Sequence, residues 1–447
     1  TTGGRTGKIR PHSWTMDSAI DSAGNIYTVT KIPSHGPTDI NPDLNVKTPI
    51  GVKEANASSG VVHKLDPNGN LIWYFEVGGK GSQYVELKSI AIDSSGNVYA
   101  SGRFKGPMVV AGKDFESRKY KGKYYYDLFA LKLDSDGDLK WIEAWGGVGE
   151  DDLTDIAVGP DGNLFLVGHL QRGGYLDPES YAKWLDNKAP GPDGDSDPYN
   201  DYFGLSARGA YGAFVLKLNP MGEVEFAQPW GVPDKNNRGH ARAYGVAVQT
   251  DGTVISAATF TKTITVDAFP DGSPRVTSSP WSSRQTGLLH AIDGATGAYK
   301  WHEEFVTWEK GDPNIRTLTL GQADEIYVGG YFRAVQNNAD VPTQLISGTQ
   351  LDSIEPLVIG KKNNTAFLLK TDKGGNASWA YQWSATKKGD PEPMAMIADV
   401  SVAPDGDLIV VGAFKGKLNF HPGSELSPLM SVGKHNLGNP FMMRLNP

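Results

Sequence analysis

One motif recurs six times along the chain, and that recurrence limits the fold more than any other property of the sequence. Its clearest copy is residues 89–106, SIAIDSSGNVYASGRFKG. Small or apolar residues alternate with others over four or five positions. A turn of Asp, Ser, Gly and Asn follows, and Val, Tyr and Ala resume. The copies are residues 17–30, 89–104, 155–168, 245–259, 318–330 and 399–412, most turning at DSxGN or PDGx. Period-two runs flanking Gly-Asn or Asp-Gly predict a β-hairpin, because those residues accept the positive φ that tight hairpin turns need. The fifth copy, with Gln-Ala-Asp-Glu in its turn, is the weakest.

A second hairpin alternates with the first, at residues 61–79, 128–147, 213–231, 288–305 and 366–384, and begins again at Phe441. After each of its turns stands a large aromatic residue: Trp73, Trp141, Phe226, Trp301 and Trp379. Packing between neighbouring sheets is the simplest role for these rings. Two hairpins make four antiparallel strands, A to D, and four strands repeated six times predict a β-propeller. The expected fold is therefore all-β: one propeller domain over 1–447 with six visible four-stranded blades, at 17–79, 89–147, 155–231, 245–305, 318–384 and 399–447. The last blade lacks its fourth strand. Residues 1–4 align with 76–79, the end of a D strand, so a strand of about nine residues is expected from beyond Thr1 or Pro447. A longer chain would leave room for a seventh blade.

Loop lengths are one-sided. The A–B and C–D turns are short. The B–C connections, near 32–60, 106–125, 171–212, 267–285, 332–364 and 417–439, are long, and so are the D–A connections 231–244 and 307–316. In a blade of antiparallel strands both long classes emerge on one face. Long loops on a rigid scaffold are where binding residues concentrate, although the same loops can simply cap the sheets.

Composition narrows the function classes. The formal net charge is −8, which argues against a generic nucleic-acid binder. There is no cysteine, which removes disulfides, thiolate metal sites and thiol nucleophiles. No apolar run approaches the length of a membrane-spanning helix. The start, Thr-Thr-Gly-Gly, carries neither Met nor an apolar leader, as after removal of a signal segment.

Two loop segments carry candidate chemistry. Asp193, Asp195 and Asp197 alternate in GPDGDSDPYND, a spacing that can converge carboxylates on Ca²⁺. Position 12 counted from Asp193 is Gly204 instead of Glu, so the helix-loop-helix calcium motif fails, and a solvated acidic loop is the simpler reading. Arg118, Lys119, Lys121, Tyr124 and Tyr125 form a basic, aromatic stretch suited to a glycan or an acidic partner. A twisted hairpin kept soluble by lysines explains the same residues. Trp184 and Trp281 are further loop aromatics that could stack on sugar rings. Nucleophile-elbow, phosphate-loop and zinc-protease signatures are absent from the sequence.

The units SIAIDSSGNVYASG and DIAVGPDGNLFLVG resemble the bacterial β-propeller repeat of secreted and surface proteins. The resemblance implies an extracytoplasmic location and assigns no functional residue. Residues 291–301, AIDGATGAYKW, are also similar to quinoprotein propeller repeats. That similarity would imply PQQ, but one copy alone matches, and without cysteine the vicinal disulfide of many such enzymes cannot form. No cofactor is expected. The favoured expectation is a non-enzymatic extracytoplasmic scaffold that engages a protein partner or surface assembly through the long-loop face. A carbohydrate-binding propeller comes second, and a quinoprotein-like or metal-dependent enzyme third.

Overall fold

The structure, a computed structural model, describes residues 14–32, 38–39, 49–50, 58–79, 84–120, 122–147, 149–171, 211–231, 239–268, 274–278, 285–307, 311–334, 345–347, 364–386, 393–419, 429–430 and 439–447. Among these residues every regular element is a strand. Blade one comprises Trp14–Ile20, Ile26–Ile32, Ser59–Leu65 and Leu71–Gly79. Blade two comprises Tyr84–Ile92, Val98–Lys105, Tyr126–Leu133 and Leu139–Trp145. Blade three comprises Asp152–Val158, Leu164–Leu170, Gly212–Leu218 and Val224–Trp230. Blade four comprises Ala241–Val248, Thr253–Phe260, Thr286–Asp293 and Tyr299–Thr307, and blade five Gly311–Leu320, Ile326–Ala334, Asn364–Thr371 and Ala377–Thr386. Blade six has Met394–Val402, Leu408–Lys415 and Asn439–Leu445, with no fourth strand among the described residues. The fold is an all-β propeller. Its residues divide into two compact units, 1–158 with 162–206 and 216–227, and 159–161 with 207–215 and 228–447.

The turns form as their sequences require. In DSxGN and DPNGN turns the Asp side chain accepts backbone amides two and four residues ahead, as Asp93 does from Ser95 and Asn97, each at 2.9 Å. The Asn side chain closes the loop by donating back to the Asp, at 2.7 Å for Asn97. The fifth copy keeps the backbone turn but not the Asp contacts: Gly321 stands where those turns have Asp, the Glu325 carboxylate accepts the Ala323 amide at 2.9 Å instead, and Asp324 takes a φ of 63° where those turns have glycine. The Asp324 carboxylate accepts the Thr250 amide and hydroxyl from the blade-four turn, at 3.1 and 2.5 Å, which offsets the strain of a left-handed Asp.

The aromatic residues after the C–D turns join blades, as their recurrence implies. Trp73 donates its indole N–H to the Ser135 carbonyl at 3.0 Å, and Trp141 to that of Pro220 at 3.1 Å. Each ring lies on the turn glycine of the following blade: Trp73 on Gly137, Trp141 on Gly222 and Trp301 on Gly375, leaving no room for a Cβ. A bulge just before the Trp in blades one, two, four and five aims it there. Behind the rings stand Tyr27, Tyr99, Phe165 and Tyr327, paired with Trp73, Trp141, Phe226 and Trp379 at 6.0 to 6.5 Å. A lysine covers each of these four rings: Lys64, Lys132, Lys217 and Lys370, at 4.9 to 5.8 Å. The recurring Lys-x-Asp/Asn of the third strand thus has a packing role.

The described parts of the long loops are not free of the blades. Met108 and Val109 of the blade-two B–C connection pair with Gly79 and Gly78 of blade one. Leu345–Ser347 of blade five pairs with Phe305–Thr307 of blade four. Leu418 of blade six pairs with Ala385 of blade five. Each insertion therefore extends the outer strand of the preceding blade, so capping accounts for part of the added length.

One expectation needs correction. Residues 241–244 and 311–316 are not loop but the first halves of inner strands. In all six blades the innermost strand begins earlier than the repeated motif and carries a bulge, at Met16, Lys88, Thr154, Tyr244, Arg316 and Ala398. The extra residue breaks the period of two, so alternation in the sequence stops at the bulge although the strand does not.

Candidate binding site at the long-loop ends of the inner strands

The inner-strand segment before each bulge lies at the end from which the long loops emerge. Positions after the bulge repeat because they pack, whereas positions before it differ from blade to blade. The residue just after the bulge is Asp17, Ser89, Asp155, Gly245, Thr317 or Asp399. In the first unit the Ser89 hydroxyl lies 2.8 Å from carboxylate oxygens of both Asp17 and Asp155, and Asp17 also accepts the Ile90 amide at 2.9 Å. In the second unit the Thr317 hydroxyl donates to Asp399 at 2.7 Å. These hydroxyl–carboxylate bridges fix one inner strand against the next.

Above the bridges, toward the loops, the first unit carries an ion cluster. Glu86 is its hub, with 9% of its side chain exposed, 2.9 Å from Arg103, 3.4 Å from Lys31 and 3.5 Å from Lys88. Asp152 lies 3.4 Å from Arg103 and 3.7 Å from Lys88. Tyr84 and Tyr126 meet edge to face at 5.3 Å, with Lys31 over the first ring and Arg103 and Lys105 over the second. Lys31 also hydrogen-bonds the Tyr84 hydroxyl. Burial opposes ionisation of Glu86, but Lys88, Arg103 and Lys31 hold its carboxyl below the usual range. At Asp152 burial outweighs Lys88 and Arg103 and raises the carboxyl. Burial lowers Lys31 against the pull of Glu86. With Lys105 facing Glu150 at 3.4 Å, four cations meet three carboxylates at one end of three consecutive blades. Packing does not require such a cluster, because buried ion pairs seldom gain over apolar residues of similar size.

Beside it lies the base of the basic stretch. Arg118 is spent on Asp127, which accepts its backbone amide and its guanidinium at 3.0 and 3.1 Å. Asp151 accepts the Gly147 and Gln171 amides at 2.7 and 3.0 Å and so ties two connections together. Burial pushes Asp127 up to about 7 despite Arg118, and burial with the nearby Asp127 raises Asp151 as well. Lys119 and Tyr120 pair with Tyr124 and Lys123 in a short ribbon. There Lys119 covers the Tyr124 ring, Lys123 covers Tyr125, and the Tyr124 hydroxyl meets Glu116. The stretch is a twisted ribbon whose cations rest on its own rings. Lys121, Trp184, Trp281, Asp193, Asp195 and Asp197 lie outside the described residues. Among the described residues no group of three or more His, Asp or Glu side chains is placed to hold a metal ion, and no helix is long and apolar enough to cross a membrane.

No family model matches the chain. An uncharacterized WD repeat-containing protein of Acanthamoeba polyphaga mimivirus is 27% identical over 154 residues, covering 34% of this chain and 11% of that protein. Solved structures with similarity include a protein of unknown function from Dyadobacter fermentans (TM-score 0.35, 13% identity, 74% of this chain and 75% of that one). The Dos1 propeller scores 0.32 at 9% identity over 90% and 92% of the two chains. An apocarotenoid oxygenase of Synechocystis scores 0.37 at 13% identity over 91% and 76%. Likeness at this level carries no functional argument. The propeller class rests on the blades, and the binding end on the chemistry gathered there.

Proposed function

We propose that this protein is a non-enzymatic binding propeller, located outside the cytoplasm, that engages a protein partner or surface assembly through the long-loop face. One observation carries the reading: the largely buried cluster of Lys31, Glu86, Lys88, Arg103 and Asp152 stands at the long-loop end of blades one to three. Self-paired charges set among tyrosines suit recognition of a polar surface, where they set orientation and discriminate between partners. The extracytoplasmic location follows the resemblance of the repeats.

The test is affinity capture from the extracytoplasmic fraction of the source cells, with three baits. These are the wild type, a double variant Lys88→Glu/Lys105→Glu on the long-loop face, and Lys140→Glu on the opposite face. The reading expects a saturable partner retained by the wild type and by Lys140→Glu but lost by the double variant. Equal retention by all three, or loss through Lys140→Glu alone, would sink it.

A further inference from the structure

The three positions at the centre of the ion cluster recur in the second unit with different chemistry. Glu86 stands three residues before Ser89 and opposite Arg103, and Asp152 stands three residues before Asp155. Counted the same way, the second unit has Arg242 three residues before Gly245 and opposite Thr259, and Asn314 three residues before Thr317. In the first unit all three side chains are joined by ion pairs. In the second, the Arg242 Nε, the Thr259 Oγ1 and the Asn314 Oδ1 are each buried with no hydrogen-bond partner among the described residues. Thr259 is fully buried. The two inner strands that carry Arg242 and Asn314 are in direct contact, since a Cβ on Gly245 would meet the Leu318 side chain at 2.9 Å and its backbone nitrogen at 3.1 Å.

The surroundings favour an anion. The Arg242 guanidinium lies 4.0 Å from the Tyr211 ring, and that of Arg316, the bulged residue of blade five, lies 5.5 Å from the Tyr331 ring. Arg316 also reaches the Tyr331 hydroxyl at 3.5 Å. Among the described residues neither arginine has a carboxylate within ion-pair distance, in contrast to Arg103. A buried polar atom without a partner costs about 1–3 kcal/mol, so three at equivalent points of one device are a place where a ligand gains by supplying partners. Their chemistry is mixed. The Arg242 N–H and the Thr259 hydroxyl can donate to a carboxylate, whereas the Asn314 oxygen repels a second oxyanion and calls for an O–H or N–H. Tyr331, opposite Asn314 in the blade-five ladder, adds an aromatic ring suited to the C–H side of a sugar.

We propose that this end of the second unit is a subsite for an acidic sugar of the uronate class. Arg242 and Thr259 take its carboxylate, a neighbouring ring hydroxyl donates to Asn314, and Arg316 supplies further positive charge. The proposal rests on the long-loop end being the binding end, but not on a protein partner.

Calorimetric titration with D-glucuronate tests it, with D-glucose and inorganic phosphate as comparison ligands. The wild type is expected to bind glucuronate, with glucose and phosphate at least about tenfold weaker, the worth of one charge-assisted contact. Arg242→Gln should weaken glucuronate about ten- to a hundredfold. Thr259→Val, which keeps the buried shape, should weaken it by a smaller factor. Should Arg242→Gln not fold by thermal melting, Arg316→Gln at an exposed position takes its place, with severalfold weakening expected. Absence of glucuronate binding to the wild type, phosphate binding as tight as glucuronate, or unchanged affinity in the folded variants overturns the subsite. Capture of a protein partner by a chain that ignores glucuronate removes this proposal alone. Glucuronate binding without any captured partner removes only the other.

Discussion

At the scale of single residues, Gly222 shows how tightly the blades are keyed. It has a φ of 89°, and a Cβ there would lie 2.8 Å from the Trp141 ring. Gly222→Ala combines left-handed strain with overpacking and should cost about 2–4 kcal/mol, read as a lower denaturation midpoint. Asp127 carries a different prediction. Its carboxyl is raised from 3.8 to about 7 by burial. Between those values the unfolded chain has lost the proton while the folded chain keeps it, so folding takes up a proton and stability falls as pH rises. The loss is complete above about 7 and absent below the unfolded value. Asp127→Asn should flatten the pH dependence of unfolding across that window, and an unchanged slope would refute the assignment. His290 acts in the opposite sense. It is fully buried, and burial lowers it from 6.5 to about 3, so it contributes stability that is present above the unfolded value and lost as pH falls through the window. His290→Gln should therefore reduce acid sensitivity in equilibrium unfolding between about pH 3 and 6.5.

At the scale of the blade, the sequence displays what packs and conceals what varies. The Asp-Gly and Gly-Asn turns, the post-turn Trp and the strand alternation repeat because each serves one contact between neighbouring sheets, so all six copies can be aligned by eye. The segments holding Glu86, Asp152, Arg242 and Asn314 do not repeat, and a bulge separates each from the motif that does. They read as loop for that reason. The available signal was a difference at equal spacing: three residues before Ser89, Asp155, Gly245 and Thr317 stand Glu, Asp, Arg and Asn. The lysine ahead of the C–D turn in blades one, two, three and five, as in KLD and KLN, was equally visible, and its role over Tyr27 or Tyr99 emerges once the third strand is paired with the second. The blade-two cluster is also the place to test the cost of its charges. Glu86→Gln leaves Lys31, Lys88 and Arg103 around a neutral amide and should destabilise by about 3–5 kcal/mol. Because the group is largely buried, the loss should change little with added salt.

At the scale of the molecule, the two compact units each own a set of packed blade interfaces: Tyr27 to Ile142 in the first, Ile255 to Leu369 and Tyr327 to Phe441 in the second. Repeats that touch only their neighbours spread damage by short steps. Hydrogen-exchange mass spectrometry of Glu86→Gln should therefore show faster exchange in peptides from residues 84–105 and 126–145, with those from 364–386 close to the wild type. Uniform acceleration would mean that the units unfold as one. The bulges have a consequence for how such a molecule can change over time. Met16, Lys88, Thr154, Tyr244, Arg316 and Ala398 each sit where the ladder to the second strand is interrupted. A substitution at any of them leaves the Trp–glycine keys between blades in place, and at Lys88 it removes the ion pairs to Glu86 and Asp152. Together they form six addressable positions on an unchanging frame, a natural combinatorial library in which binding preference can drift, or be selected at the bench, one blade at a time.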